Sequence, residues 1–366
     1  MKHLILTLIS LLLAFTSANA QVRVVDALDH LPVSAASVFD ASGNMAGYTT
    51  SNGTLSEIPL SAYPITLRCM GYEQLVIDTP DEKTWEMVPV LYELEELVVV
   101  PVERNMLRQT FYAREYFSLI STTDTINYFV ELMTERFVPT SKEEKFSGNT
   151  SLRTLNSRAY ARYKAFDEDS CFVQNKTLFP SMLSVLDIRS DEILAPESFK
   201  SDENKVKIYE KQGKSGVSLI YKQNPYNFTI VEDMLAKKKE HTASPWALKL
   251  LGISMDVKQL YTTNVYKLNE KGVYQPKDLK ETSFVFEADG KGKLIRKALN
   301  SDKPVIIRAM VEIYLTDIDY LSQQEAKEAY DNKRSDVDFV IPASVPPLNK
   351  ATRELVERAV AESESK

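Results

Sequence analysis

The residues of this chain whose types could do chemistry are three histidines, two cysteines and a few closely spaced carboxylates. A zinc peptidase site needs an H-x-x-E pair and a distant His, because three ligands must leave one coordination position open. His30 is followed three residues on by Val33, and beyond the first twenty residues the other histidine is His241. His30 therefore reads as a solvent-exposed turn residue. Asp317 and Asp319 share one strand face, as do Asp336 and Asp338. Such pairs serve acid–base catalysis when buried, but at strand ends they read as exposed charges. Asp167-Glu-Asp169 lacks the bend glycine of an EF-hand loop and reads as a solvated acidic loop. Gly213-Lys-Ser-Gly216 is shorter than a nucleophile elbow and reads as a hairpin turn. Gly290-Lys-Gly-Lys293 lacks the spacing with which a Walker loop cradles phosphates, and Lys237-Lys-Lys239 is too short to make an anion-binding patch. The sequence therefore assigns no catalytic, cofactor-binding or metal-ligating residue.

Cys69 and Cys171 are the two cysteines. Cys69 lies at an alternating position in Ile65-Thr-Leu-Arg-Cys69 and is expected to face a core. A buried free thiol and a Cys69–Cys171 bridge are both open, the second only in an oxidising compartment.

The compartment follows from residues 1–20. Lys2 and His3 precede an apolar run from Leu4 to Phe15, and Ala18-Asn-Ala20 ends the segment with small residues. This is the form of a secretory signal peptide, with an apolar run too short for a stable span. No Cys follows the run, so an N-terminal lipid is not expected. No later stretch reaches about 18 apolar residues, so no transmembrane span is expected in the mature chain. The net charge is −7, and losing Lys2 with the leader makes it −8. An acidic exported product is a poor match for nucleic acid, which selects basic faces. Hydrophobic residues make up 44% of the chain, enough for packed cores and too many for a disordered one.

The elements that would position any site fall in two parts, as 366 residues suggest. Residues 21–100 read as short strands separated by turns. Val22–Asp26 reads as an edge-forming first strand, Ser37–Phe39 as a second, and Asn52-Gly53 as a hairpin turn. Further strands are expected at Tyr48–Thr50, Ile65–Met70, Gln74–Asp78, Met87–Tyr92 and Glu96–Val100. Strands of this length with turn signals between them indicate a small sandwich.

Val22, Asp26, Leu31, Pro32, Ala36 and Val38, followed by Gly47, Thr49, Asn52, Gly53, Gly71, Tyr72 and Glu73, resemble the carboxypeptidase regulatory-like domain. The exit run Leu94–Val100 is similar to the end of that module. Leu55 departs from the family, which usually places an aromatic core residue there. The resemblance implies a transthyretin- or immunoglobulin-like β-sandwich, common in exported proteins of Bacteroidetes-type bacteria and not itself catalytic. It often stands before TonB-dependent receptors. About 260 residues remain beyond this module, whereas a 22-stranded barrel with its plug needs roughly twice that, so a receptor is not expected.

Residues 101–105 read as a linker opened by Pro101. Residues 106–340 are expected to form an α+β domain on a curved antiparallel sheet. Aromatic runs on either side of Thr122–Thr125 predict a long hairpin through Thr110–Ile120 and Ile126–Val138. Ser141–Thr150 reads as a loop. Alternation predicts further strands at Ser157–Phe166, Lys205–Tyr209, Ser218–Tyr221, Gln259–Tyr266, Thr282–Phe286 and Val305–Tyr314, with a turn at Ala288–Gly292. Helices are expected at Ser181–Leu186, Ser244–Leu251 and Ser322–Lys333, the last opened by the capping box Ser322/Glu325. Residues 341–366 read as a proline-bearing spacer and a helix capped by Asn349 or Thr352, with Leu355, Val356, Ala359 and Val360 on one face and a frayed end from Ala361.

The fold class is thus mainly β, with an N-terminal sandwich, an α+β domain and a C-terminal helix. The function expected is that of an exported, non-enzymatic binding or accessory protein of the bacterial cell envelope. It would be periplasmic or peripherally associated with the outer membrane, and would engage a partner protein, an envelope component or a small ligand. The 18 tyrosines and 15 phenylalanines could line a ligand groove or simply fill cores. The alternative is a hydrolase whose second domain uses carboxylates that sequence cannot pair.

Overall fold

The structure, a computed structural model, describes residues 22–92, 104–122, 124–140, 144–165, 168–174, 200–201, 207–210, 218–223, 226–233, 235, 241–242, 253–267, 275–293, 303–335 and 337–364. The expected signal peptide, the exit run Leu94–Val100, the helices at Ser181–Leu186 and Ser244–Leu251, Gly213–Gly216 and Lys237–Lys239 lie outside those residues.

Seven short strands build the N-terminal part: β1 Val22–Asp26, β2 Ser37–Phe39, β3 Met45–Tyr48, β4 Thr54–Leu55, β5 Ile65–Arg68, β6 Leu75–Ile77 and β7 Thr84–Met87. They form a three-stranded sheet, β4-β1-β7, and a four-stranded sheet, β3-β2-β5-β6. Val24, Val38, Leu55, Leu67, Trp85 and Met87 from both sheets close one buried core, which makes the sandwich. Leu55 is 2% exposed, so the smaller side chain does fill the core position after the turn. The expected edge position of β1 is corrected. It pairs antiparallel with β4 and parallel with β7, because the returning chain supplies a second ladder that local sequence does not contain. Gly53 sits at φ +76°, and a Cβ there would come within 2.5 Å of the Val24 carbonyl oxygen.

The second part is one large antiparallel sheet. Its strands are β8 Met106–Ile120, β9 Asp124–Pro139, β10 Arg153–Ala165, β11 Glu168–Gln174, β12 Lys200–Ser201, β13 Lys207–Glu210, β14 Ser218–Gln223, β15 Asn227–Asp233, β16 His241–Thr242, β17 Ile253–Lys267, β18 Leu279–Gly292 and β19 Val305–Leu321. The spatial order is β11-β10-β9-β8-β19-β18-β17-β15-β14-β13-β12, with β16 beside β17, and among the described residues the terminal strands do not close into a barrel. The long hairpin forms as expected, in register from Met106–Pro139 to Ile120–Thr125. The strands run longer than their apolar cores suggest. β18 continues through Ala288–Gly292, where a turn is expected, because β17 and β19 offer it partners on both sides as far as Gly290. Glu168 and Asp169 lie in β11 rather than in an acidic loop, since that strand folds straight back on β10. Bulges at Val257/Gln259, Val265/Tyr266 and Leu315/Asp317 add local twist to the curved sheet.

Period-two alternation gives this sheet two unlike faces. One is apolar strand after strand, with Phe111, Ala113, Leu132, Phe284, Ala309 and Val311 all buried. The other mixes aromatic and charged residues and receives the sandwich. There Phe39 and Met45 pack against Tyr116, Phe129 and Met310. Arg308 donates to the carbonyls of Met45 and Ala46 at 3.0 and 2.9 Å, and Asn127 donates to Asn44 at 2.7 Å.

After β19, helix α1 Gln323–Asp331 starts at Ser322, which accepts from the Glu325 N–H while Glu325 accepts from the Ser322 N–H, as the capping box predicts. Its last carbonyls, on Ala329 and Tyr330, accept from Arg153 at 3.0 and 2.5 Å, which satisfies groups every helix end leaves open. Residues 337–349 then cross the polar face as a strap. Helix α2 Lys350–Glu364 follows, with Asn349 as the cap that accepts from the Thr352 N–H. Leu355 and Ala359 are buried, so the helix docks on the body of the protein, across β10 and β11. It also runs on to Glu364 instead of fraying from Ala361, supported by an Arg358–Glu362 ion pair one turn apart. Among the described residues no helix is long and apolar enough to cross a membrane.

Candidate functional site

Among the described residues a buried set of ionisable side chains gathers where the sandwich, the sheet and the strap meet. β5 ends at Arg68, and the following tight turn, Cys69-Met-Gly-Tyr72, has Gly71 at φ +78°. Only a residue without Cβ takes that conformation freely. The turn brings the backbone down onto β18 and β19. There Glu281 and Glu312 project from neighbouring strands, since Ser283 pairs with Glu312 and Glu281 with Tyr314. Register places the two carboxylates diagonally on one face.

Arg68 is 1% exposed and Glu312 is 2% exposed. Arg68 Nε and Nη2 donate to the two Glu312 oxygens at 2.8 and 2.7 Å, and Nη1 donates to the Tyr116 hydroxyl at 2.8 Å. The planar fork thus meets a planar carboxylate with both bonds made. Burial works against the Arg68 charge, and the Glu312 carboxylate together with Tyr116 and Tyr314 outweighs it, so the guanidinium lies above its ordinary value. Burial also raises the Tyr116 hydroxyl to about 12, with Arg68 pulling the other way.

Glu281 differs from Glu312. It is buried, and its Oε2 accepts the Gly71 N–H at 3.2 Å. Burial pushes its carboxyl up to about 7; the Tyr92 hydroxyl and the Gly71 N–H lower it, and the neighbouring Glu312 charge raises it. Two carboxylates therefore share a buried junction in which the Arg68 guanidinium is already committed to one of them. Arg114 is bound to the Tyr112 hydroxyl at 3.0 Å and to the Pro346 carbonyl at 2.6 Å, which ties the strap to the same cluster. Gln74, Ser344 and Pro346 complete the walls of a cavity of about 10 Å³, room for about one water molecule.

The sequence-flagged residues lie elsewhere. His30 is an exposed turn residue, as expected, 3.4 Å from Glu86. Asp317 is exposed beside a bulge, and Asp319 is paired with Arg108 at 2.7 Å near the end of β19. The strand expected for Asp336 and Asp338 is corrected: Asp338 lies in the strap outside any strand, because residues 337–340 run over the sheet face and join no ladder, while Asp336 lies outside the described residues. Gly290-Lys-Gly-Lys293 is strand and its immediate end, not a loop. Cys69 is half-buried, with Sγ 3.6 Å from the Ser34 carbonyl oxygen, and among the described residues it takes part in no disulfide. Glu281, Glu312 and Arg68 went unremarked in the sequence. The signal that marks Glu312 is local: one carboxylate inside the apolar run Val311-Glu-Ile-Tyr314 needs a buried partner.

No family model matches this chain, and no curated protein matches it. A solved structure titled "Lipid-protein interactions in lipovitellin" aligns with 59% of this chain and 25% of that chain, at 10% identity and a TM-score of 0.30. The alignment spans a quarter of that protein, and a likeness this low carries no inference here.

Proposed function

We propose that this chain is an exported, non-enzymatic binding or accessory protein of the bacterial cell envelope, periplasmic or peripherally attached to the outer membrane. Its first module is read as a carboxypeptidase regulatory-like domain. The leader and the residue series quoted above support export and that module. The observation that carries the non-enzymatic reading is the geometry of the carboxylate cluster. Arg68, Glu281 and Glu312 join the sandwich to the sheet around about 10 Å³, where pockets for small molecules span roughly 300 Å³ or more. Side chains that fill the space between two packed parts act as a joint.

The carboxylate hydrolase is kept as a second reading on one specific observation. Glu281 sits near neutrality beside an ionised partner, which is the arrangement acid–base chemistry uses. It would require the junction to open and admit a substrate.

In-cell cross-linking of the tagged protein, with membrane fractionation and mass spectrometry, tests the binding reading. Recovery with one defined envelope complex is the expected result. Recovery as an uncross-linked soluble monomer would sink the partner form of the proposal, and hydrolysis of an ester, glycoside or peptide panel that is lost in Glu281→Gln would favour the rival.

A further inference from the structure

Among the described residues, the junction holds a carboxylate with no cation of its own. Glu281 is 4% exposed and rests on the Gly71 N–H, while Arg68 gives Nε and Nη2 to Glu312 and Nη1 to Tyr116. Three separate parts of the chain converge there: the turn after β5, strands β18 and β19, and the strap at Ser344 and Pro346. An ionised carboxylate in such a place demands either water or a cation, and the cavity offers neither beyond about one water. A protonated carboxyl demands far less.

We propose that this junction is a proton-set latch, in which protonated Glu281 keeps the sandwich seated on the sheet and loss of that proton loosens the turn Cys69–Tyr72 from β18. The inference concerns regulation and does not depend on which partner or ligand the protein takes.

The groups around Glu281 set the direction. Tyr92, Glu312 and Tyr314 act on it electrostatically, and behind them stand Arg68, Tyr116 and Cys69. The strap brings no charge to the cavity wall, only Ser344 and Pro346. Burial and Glu312 hold the proton on; the Tyr92 hydroxyl and the Gly71 N–H favour its release. The balance lies close enough to neutrality for an envelope exposed to external pH to move it. Opening hydrates Glu281 and costs the buried Arg68–Glu312 pair its shelter, so the closed state is favoured on the acidic side.

The experiment is hydrogen–deuterium exchange of the full-length protein from about pH 5 to about pH 9, corrected for intrinsic exchange and followed by mass spectrometry. Amides of Arg68–Tyr72 and Leu279–Ser283 are expected to lose about tenfold of their protection as pH rises through neutrality, while the β8–β9 hairpin keeps its own. Glu281→Gln, which mimics the protonated acid, is expected to hold the junction protected at every pH. Tyr92→Phe, which removes a group favouring ionisation, is expected to move the midpoint upward. Protection of the junction that is independent of pH in the native protein overturns the latch, as does an unchanged profile in Glu281→Gln. Should that variant fail to fold, an unmoved midpoint in Tyr92→Phe overturns it instead.

Discussion

Arg68 and Glu312 stand 244 positions apart in the chain and meet through two hydrogen bonds of 2.8 and 2.7 Å, both side chains almost wholly buried. One belongs to the last residue of a sandwich strand and the other to the middle of the longest strand of the sheet. The pair is one of the links that join the two parts of the molecule.

Removing one member of that pair leaves a buried charge without its counter-ion, at a cost of about 3–5 kcal/mol. Arg68→Met and Glu312→Met are each expected to lower stability by that amount in urea denaturation. The double variant Arg68→Met/Glu312→Met is expected to recover most of the loss, since burial without charge carries no such penalty. A double variant as unstable as the singles would mean the pair is not the source of the effect.

Stability is expected to fall with rising pH across a defined window. Glu281 has a folded pKa of about 7 against an ordinary 4.5, so between those values the folded state holds the proton more strongly than the unfolded one. The contribution of this group is fully present below about pH 4.5 and lost as pH passes about 7, a change of order 3 kcal/mol. Unfolding midpoints measured at about pH 5 and about pH 8 should differ in that sense in the native protein, and the Glu281 component should vanish in Glu281→Gln. An increase in stability over the same window that survives in the variant would contradict the assignment.

Helix α2 is expected to depend on its dock. A helix of 15 residues is marginal in water by itself, and its buried residues are Ala351, Thr352, Leu355 and Ala359. Leu355→Ala should cost about 2–5 kcal/mol. Circular dichroism of the isolated peptide 348–364 should show little helix. A strongly helical peptide would place the stability in the helix instead of the contact.

Gly53→Ala is expected to destabilise the sandwich by more than about 1 kcal/mol, through a left-handed backbone and a Cβ 2.5 Å from the Val24 carbonyl oxygen. Gly47→Ala, whose Cβ would meet side-chain atoms at 3.8 Å, is the matched control and should be milder. Equal thermal shifts for the two would remove the argument from geometry.

Cys69 is expected to alkylate without prior reduction once the protein is unfolded, and peptide mapping should find it unbridged. A disulfide-linked Cys69–Cys171 peptide from freshly purified protein is the result that would count against this.

Much of the fold can be read locally. The Asn52-Gly53 turn, the aromatic arms of the β8–β9 hairpin and the Ser322/Glu325 capping box are each encoded within a few residues, and each forms where those residues stand. Strand ends cannot be read this way. β18 runs through Asp289 and Gly290 because neighbouring strands pair with it there, and a ladder partner overrides the turn preference of glycine.

The candidate site shows the same division more sharply. The alternation of Val311, Glu312, Ile313 and Tyr314 settles that a carboxylate points to one face of a strand, because side-chain direction is a local property of the backbone. Whether that carboxylate meets water, a metal or an arginine depends on which distant segment lands on the face. Glu281 and Glu312 became neighbours through strand register, Arg68 reached Glu312 through the packing of the sandwich on the sheet, and Gly71 reached Glu281 in a turn with φ +78°. Those are long-range events, and only the folded chain decides them. The sequence alone determined the local conformations and the mainly β class; the tertiary structure decided that its buried charges form a joint.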